Sequence, residues 1–339
     1  MSKIKVAVFG CGAIAQRRHI PEYANNANVE LVAFADPVKE RAEEMAAQYG
    51  GKAYADYQEL LKNEKLDAVS VCTPNYLHAP MSIAAANAGL HVLVEKPMAT
   101  TAEEGEQMIE AARKNGVYLM VGHNQRFMPP HVKAKEILDS GKLGKVLTFR
   151  TSFGHGGPES WSLDGRDSWF FRKEEAIMGA MGDLGVHKSD FIRYLLNDEI
   201  VEVAGFIGTV HKEGTDVDDN ATCIVRMKSG AVGTLMASWT HYRSGDNGTV
   251  LWCEKGAMKI GTVNGDEVVV ELTDGTVETY KVGAMATNEK QVPSGVIDAF
   301  VESILTNTPP SISGEEGLRS LNVILGAFES QETGKIVKL

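Results

Sequence analysis

A glycine-rich turn close to the N-terminus is the feature that most limits what this chain can fold into. The apolar run Val6–Phe9 is followed at once by Gly10-Cys-Gly-Ala-Ile-Ala15, an order that predicts a strand, a phosphate-binding loop and a helix. Gly10 permits the tight turn, and Gly12 leaves room for a pyrophosphate to approach the backbone. The small Ala15 lets the helix pack closely on the strand. The loop therefore predicts a dinucleotide site at the N-terminus of a helix.

The end of the next apolar run strengthens that prediction. Leu31–Ala35 reads as a second strand and is followed by Asp36, at about the 20-residue spacing where a carboxylate accepts hydrogen bonds from an adenosine ribose. Because a carboxylate repels a 2′-phosphate, Asp36 favours NAD over NADP. Lys39 and Arg41 stand close enough to keep NADP as the alternative. Asp36 could also cap the helix that follows, and the two roles are compatible.

Length and composition predict a two-domain globular protein. At 339 residues the chain exceeds the size at which one core stops growing, and 43% hydrophobic with 23% charged residues is ordinary for a folded chain. A net charge of −11 argues against a nucleic-acid or membrane-surface partner. Small polar substrates are the expected partners instead.

Targeting signals and cysteine usage point to an intracellular enzyme without a metal. The N-terminus enters a predicted strand without a cleavable apolar segment, and no apolar stretch approaches the length of a membrane span. We therefore expect a cytoplasmic protein with no membrane contact. The four cysteines are dispersed singly, so neither a zinc site nor a disulfide framework is predicted.

The order of predicted elements gives the fold class. Over residues 1–122 strands alternate with helices, which predicts a doubly wound parallel sheet and a dinucleotide-binding domain. Residues 123–339 predict a substrate-binding and oligomerisation domain, with a large, mostly antiparallel sheet covered by helices on one face. The predicted strands are 4–9, 30–35, 67–72, 91–95, 117–121, 145–153, 200–211, 218–228, 231–241, 248–255, 257–262, 266–272 and 276–282, with turns at 228–230, 264–265 and 274–275. The predicted helices are 13–26, 38–48, 56–62, 77–88, 102–115, 182–196, 294–306 and 315–330.

Polar side chains follow two of the predicted parallel strands, at the edge where ligands bind in such sheets. The stretch Thr73-Pro-Asn-Tyr-Leu-His78 offers polar groups to the nicotinamide side of a dinucleotide, although Asn75 could simply cap the next helix. Glu95-Lys96-Pro97 follows the next strand. A lysine at a strand end is usually solvated, but beside a dinucleotide loop Lys96 is a candidate to orient a substrate oxygen or to pass a proton.

A third cluster lies in the predicted helix 182–196. Asp183 and His187 are four residues apart and share a helix face, and Asp190 lies one turn beyond His187. A carboxylate partner fixes the tautomer of a histidine and raises its basicity, which suits a general base near neutral pH. A structural histidine and a metal site are the alternatives, and two residues at this spacing are too few for a metal.

Together these motifs resemble the glucose-fructose oxidoreductase and inositol dehydrogenase family (Gfo/Idh/MocA). The resemblance covers essentially the whole chain, and it includes Gly122-His-Asn124-Gln-Arg126-Phe at the predicted domain junction. The chain departs from the family at Gly179-Ala-Met-Gly, where a glycine triplet is usual. That departure leaves the local backbone ahead of Asp183 open.

The resemblance implies an NAD-dependent oxidoreductase, with NADP as the alternative cofactor, acting on a secondary alcohol of a sugar, a sugar derivative or a cyclitol. It implies that Lys96, Asp183 and His187 form the catalytic group. The expected cofactor-binding residues are Gly10, Gly12, Ala13, Ile14, Asp36, Thr73, Pro74, Asn75, His78, Glu95, Lys96 and Asn124. The expected substrate-binding residues are Lys96, Asn124, Arg126, His155, Trp161, Trp169, Asp183 and His187, the tryptophans and His155 lying in or beside a glycine-rich, aromatic segment.

Two other functions remain open at this point. The same fold could serve an NAD-dependent glycoside hydrolase that returns its cofactor unchanged, or a non-catalytic cofactor-binding sensor.

We also expect a homo-oligomer, with a tetramer as the expected size, because the predicted strand 231–241 is apolar on both faces. Leu235 and Trp239 alternate with Val232, Met236 and Tyr242, so a second subunit would cover the face that helices leave open.

Overall fold

The computed structural model describes residues 3–262, 267–283 and 293–339. It divides into two compact units. The first comprises Met1–His123, Trp161–Gly165 and Thr287–Leu318, and the second comprises Asn124–Ser160, Arg166–Ala286 and Arg319–Leu339. The first unit therefore takes in two segments from the predicted second domain, 161–165 and 287–318. The predicted turn at 264–265 lies outside the described residues.

The first unit is built on a six-stranded parallel sheet in the order β3-β2-β1-β4-β5-β6. The strands are β1 (Ile4–Phe9), β2 (Val29–Ala35), β3 (Lys52–Tyr54), β4 (Ala68–Val71), β5 (His91–Val94) and β6 (Leu119–Val121). The strand order reverses between β1 and β4, and the carboxyl ends beside such a switch point form the ligand crevice of a doubly wound sheet. The sequence did not predict the short strand β3.

Helices follow these strands where the sequence predicts them. The α-helices are α1 (Ile20–Asn25), α2 (Lys39–Tyr49), α3 (Tyr57–Asn63), α4 (His78–Asn87), α5 (Ala102–Asn115) and α9 (Val296–Thr306). The start of the predicted helix 13–26 is a π-helical turn, Ala15–His19. Helix α5 shows how local sequence sets the bounds: Thr101 caps its first turn by accepting a hydrogen bond from the Glu104 N–H, and Gly116 ends it at φ 65°.

The second unit carries a nine-stranded sheet in the order β14-β13-β12-β11-β7-β10-β9-β8-β15. Its strands are β7 (Val146–Gly154), β8 (Ile200–Gly208), β9 (Asn220–Met227), β10 (Val232–Ser238), β11 (Thr249–Cys253), β12 (Gly256–Ile260), β13 (Glu267–Leu272), β14 (Val277–Lys281) and β15 (Val337–Lys338). All pairs are antiparallel except β7 with β10, which is parallel. The predicted fold class is therefore confirmed.

The remaining helices are α6 (Pro129–Asp139), α7 (Lys173–Ala176), α8 (Val186–Leu196) and α10 (Gly314–Thr333), of which α6 and α7 were not predicted. The sheet of the second unit is buried on one face. Along β9 every second residue from Ala221 to Met227 is buried, and the residues between them are exposed. Among the described residues, no helix has both the length and the hydropathy needed to cross a bilayer.

Candidate active site

The glycine loop of the first unit has the space that a dinucleotide requires. Gly10 has a φ of 85°, and a Cβ there would lie 2.5 Å from the Cys72 carbonyl oxygen, so only glycine fits the turn. A Cβ at Gly12 would meet no described atom within 4 Å. The Thr73 Oγ1 is buried and has no hydrogen-bond partner among the described residues. Open space over the loop and an unpaired hydroxyl beside it both fit a bound NAD.

Asp36 lies at the carboxyl end of β2 and is held by the backbone on both sides. Its Oδ2 accepts a hydrogen bond from the Cys11 N–H at 2.8 Å, and its Oδ1 accepts one from the Val38 N–H at 2.8 Å. Each carboxylate oxygen retains a second lone pair for a ribose hydroxyl. The carboxylate is therefore fixed beside the glycine loop. The N-cap of α2 is Val38, and among the described residues no side chain caps that helix, so the predicted capping role of Asp36 is wrong, and its contact with a ribose remains a prediction.

A buried charge cluster surrounds Glu95, at the end of β5. The Nε2 of His19 lies 2.9 Å from one carboxylate oxygen of Glu95, and the Lys96 N–H donates to the other at 3.1 Å. The second ring nitrogen of His19 lies 3.1 Å from the Ser70 hydroxyl. Burial alone would raise the pKa of Glu95, but the hydrogen bond and charge of His19, with Arg18 and Lys96 nearby, lower it to about 2. Glu95 is thus an anion held at the strand end.

The residues after Glu95 and Cys72 are tied together by His78. Its Nδ1 lies 2.7 Å from the Pro97 carbonyl oxygen, and its Nε2 lies 2.9 Å from the Thr73 carbonyl oxygen. Burial lowers the pKa of His78 despite these hydrogen bonds. The Lys96–Pro97 peptide bond is cis. His78 therefore links the two loops that carry Lys96 and Thr73, and its predicted contact with the cofactor remains a prediction.

The catalytic residues predicted in the second unit begin in a π-helical turn, Met181–Gly185, which continues into α8. Asp218 holds the start of this turn: its two carboxylate oxygens accept hydrogen bonds from the Gly179 and Met181 N–H groups, both at 2.7 Å. A Cβ at Gly179 would lie 1.9 Å from the Asp218 carbonyl oxygen. Glycine is therefore required at position 179.

Asp183 and His187 occupy the same helical segment and meet aromatic side chains. The Trp239 indole N–H donates to Asp183 Oδ2 at 3.0 Å, which fixes the direction of that carboxylate. The His187 ring lies 5.8 Å from the Phe153 ring, centroid to centroid. Both Asp183 and His187 are buried. The structure thus presents an oriented carboxylate one helical turn from a histidine.

Asp190 has a structural partner that the sequence did not indicate. Arg126 donates to both of its carboxylate oxygens, at 2.8 and 2.6 Å, and both side chains are buried. The Ser320 hydroxyl donates to the same carboxylate at 3.2 Å. This bidentate ion pair joins the start of the second unit to α8. The guanidinium is committed to Asp190, and the predicted contact of Arg126 with substrate remains a prediction.

The other predicted substrate residues are divided between the two units. His155 accepts a hydrogen bond from the Gly157 N–H on its Nδ1 at 2.9 Å, so its Nε2 carries the proton in the neutral ring. The Trp169 ring stacks on the Phe170 ring at 3.8 Å, and Phe170 meets Trp239 edge to face. Asn124 is buried in the second unit. Trp161 belongs to the first unit.

Sequence reasoning missed two residues that position Asp183. Asp218 stands at the start of the predicted strand 218–228, and Trp239 lies in the predicted strand 231–241, on the face expected to pack against helices. In the structure both residues lie just outside the strands β9 and β10. A buried tryptophan usually finds an acceptor for its indole N–H. That rule is the one signal that could have assigned Trp239 a polar partner.

The doubly wound unit, its glycine loop and its ribose carboxylate define a dinucleotide-binding oxidoreductase. Residues 4–123 match the Gfo/Idh/MocA oxidoreductase family in its NAD-binding Rossmann fold, and residues 131–259 match the C-terminal domain of the same family. The chain belongs to the Gfo/Idh/MocA family. The predicted family, cofactor class and enzyme class are confirmed.

Several named relatives share this organisation. The chain is 30% identical to the myo-inositol 2-dehydrogenase of Thermotoga maritima, over 99% of this chain and 98% of the relative. It is 33% identical to the levoglucosan dehydrogenase of Pseudarthrobacter phenanthrenivorans, over 62% of this chain and 58% of that relative. Among solved structures, the aldose-aldose oxidoreductase of Caulobacter crescentus superposes with a TM-score of 0.86 at 28% identity, covering 99% of this chain and 100% of the other.

Proposed function

We propose that this enzyme transfers hydride between NAD and a secondary alcohol of a sugar, a sugar derivative or a cyclitol. The observation that carries the proposal is the pair Asp183 and His187, an oriented carboxylate and a buried histidine on one helical segment. They lie in a chain whose other unit is an NAD-binding domain. Relatives named as inositol and levoglucosan dehydrogenases support this class of substrate.

The cofactor would be held by residues of the first unit. The glycine loop and the N–H groups of Ala13 and Ile14 suit a pyrophosphate, Asp36 suits the adenosine ribose, and Thr73 with Glu95 suits the nicotinamide side. When bound, NAD supplies the hydride-accepting ring. The carboxylate of Asp36 favours NAD over NADP, because a 2′-phosphate would stand against a fixed negative charge.

The proposed chemistry of the protein residues is proton transfer and orientation. His187 takes the proton of the reacting hydroxyl as hydride leaves, and Lys96 donates a hydrogen bond that stabilises the developing alkoxide. Asp183 accepts a hydrogen bond from a neighbouring hydroxyl of the substrate, and Trp239 keeps its carboxylate in one direction. The aromatic rings near His155 and Trp169 suit the apolar face of a sugar ring.

The proposal includes assembly through the open face of the second unit's sheet, with a tetramer as the expected size. Phe206 on β8 is 85% exposed, Ile224 on β9 is 58% exposed and Trp252 on β11 is 45% exposed. Tyr242, predicted to share this face, lies beyond the end of β10. Leu235 and Trp239 on the helix-covered side are fully buried. An apolar face of this kind is seldom left to water, and a second copy would cover it around a two-fold axis.

The experiment is a panel of sugars and cyclitols assayed with NAD, read by the absorbance of reduced cofactor. With the best substrate, Lys96→Ala and His187→Ala should each lower kcat by about 10²-fold, the scale of a lost acid-base or oxyanion contact. Lys62→Ala, an exposed lysine of α3, is the control. NADH affinity, measured by fluorescence titration, should change little in both variants.

The outcomes separate this proposal from its rivals. Near-normal kcat in either variant removes that residue from the mechanism, and additive losses in the double variant show that the two do not act on one group. Cleavage of a glycoside without net NADH formation identifies the redox-assisted hydrolase. NADH binding with no turnover on any substrate of the panel identifies the cofactor sensor.

A further inference from the structure

The segment Trp161–Gly165 belongs to the nucleotide-binding unit although it lies well beyond β6 in the sequence. It forms a short turn in which the Gly165 N–H donates to the Ser162 carbonyl oxygen at 3.3 Å. Asp164 projects from this turn, and its Oδ1 accepts a hydrogen bond from Arg41 Nη2 at 2.5 Å. The two residues are 123 positions apart in the chain.

Arg41 lies in the first turn of α2, next to Asp36. The Arg41 N–H donates to the Val38 carbonyl oxygen at 2.9 Å, and the Val38 N–H donates to Asp36 Oδ1 at 2.8 Å. The guanidinium also acts on the glycine loop: burial and Asp36 raise the pKa of the Cys11 thiol to about 12, and Arg41 opposes them. The charges of Arg41 and Asp36 therefore act on the same residue of the glycine loop, Cys11, whose N–H donates to the Asp36 carboxylate.

The two cations that the sequence suggests for a 2′-phosphate, Lys39 and Arg41, each pair with a carboxylate. Lys39 pairs with Glu43 at 3.0 Å along the helix, and Arg41 pairs with Asp164. A phosphate monoester carries nearly two negative charges at neutral pH and is bound best by the fork of an arginine. With Arg41 paired, a 2′-phosphate would have to displace Asp164 and would also be repelled by it.

We propose that Asp164 is a specificity-determining residue, which disfavours NADP by occupying the Arg41 guanidinium beside Asp36. The inference deepens the proposed function and rests on its NAD preference. The ion pair is partly open to solvent, with side chains 25% and 39% exposed. It is therefore accessible to an entering phosphate and sensitive to salt.

The test is fluorescence titration of the purified enzyme with NADH and NADPH, at low and at moderate ionic strength. Asp164→Asn frees Arg41 and removes one negative charge, and it should tighten NADPH binding by about threefold to tenfold, with less effect as salt is added. NADH affinity should change by less than about twofold. Asp167→Asn is the matched control, because it makes the same charge change at an exposed position nearby in the sequence.

The double variant Arg41→Ala, Asp164→Asn should lose most of the gain, since the phosphate then has no guanidinium to meet. An equal gain in the control or in the double variant overturns the role of the ion pair. If the wild type prefers NADH and Asp164→Asn does not change NADPH affinity, only the role of Asp164 fails. If the wild type binds NADPH as tightly as NADH, the proposed cofactor preference itself fails.

Discussion

The ionisation state of the buried Glu95 depends on the side chains around it. Its carboxylate is 6% exposed, and an isolated carboxylate at such depth would favour the neutral form. His19 donates to it, and Arg18 and Lys96 add positive charge, so the ionised form prevails. A Cβ at Gly122 would lie 3.1 Å from the same carboxylate, so the end of β6 fits closely against it.

The low pKa of Glu95 predicts a stability that depends on pH. Its folded-state pKa of about 2 lies below the ordinary value of 4.5, so the carboxylate contributes stability above about pH 4.5, and this is lost as pH falls toward 2. The contribution is of the order of 3 kcal/mol. Glu95→Gln should therefore lower the free energy of unfolding in urea at pH 7, and the deficit should shrink as pH falls below 4.5.

The control is Glu103→Gln in the first turn of α5, which makes the same change at an exposed side chain. A deficit in Glu95→Gln that stays constant from pH 7 to pH 3.5 would show that the charge of Glu95 does not stabilise the fold.

At the scale of the element, the π-helical turn Met181–Gly185 decides where Asp183 and His187 stand. Its start is fixed by the carboxylate of Asp218, which accepts hydrogen bonds from two backbone N–H groups. Burial raises the pKa of this carboxyl to about 6. The Ala180 N–H donates to the Asp218 carbonyl oxygen at 2.8 Å. One residue just before β9 thus anchors the start of the segment.

The contact at Gly179 predicts a large effect of the smallest side chain. Gly179→Ala would place a methyl group 1.9 Å from the Asp218 carbonyl oxygen, so the turn must shift. We expect a loss of about 3 kcal/mol or more in urea unfolding, with a fall in kcat as Asp183 and His187 move. Gly208→Ala is the control, because a Cβ there meets no described atom within 4 Å, and it should leave the stability unchanged or raise it by up to about 1 kcal/mol. Equal stability of the two variants would contradict the argument.

At the scale of the whole molecule, the one-sided sheet of the second unit governs assembly. On β9 and β10, Ile224 pairs with Thr234 and Thr222 pairs with Met236, and these side chains share the face opposite the buried Leu235. Phe206 pairs with Thr222 on the same face. The face is continuous across three strands and contains large apolar groups.

The exposed apolar face predicts that the protein forms an oligomer in solution. Light scattering at micromolar concentration should return a multiple of the 36.7 kDa chain mass, with a tetramer as the expected size, and Ile224→Lys should shift the mass downward because a buried lysine would lack a partner. Val132→Lys makes the same change on α6, where Val132 is 38% exposed, and should leave the mass unchanged. A wild-type mass equal to one chain would show that the face is not an interface.

The sequence by itself determined the local features of this protein. The glycine loop, the carboxylate at the end of β2 and the strand-helix alternation each depend on residues close together in the chain, so their patterns predict them directly. The bounds of α5 follow from Thr101 and Gly116 in the same way. The order and spacing of these motifs along the chain then identified the family and the enzyme class.

Only the tertiary structure decided which distant side chains meet. Trp239 and Asp183 are 56 residues apart, Arg126 and Asp190 are 64 apart, and Arg41 and Asp164 are 123 apart. No periodicity relates such positions, because the contact depends on how the sheet orders its strands and on where a loop returns. The same holds for Asp218, which the sequence predicts only as the start of a strand and which the fold brings to the start of the segment that carries His187.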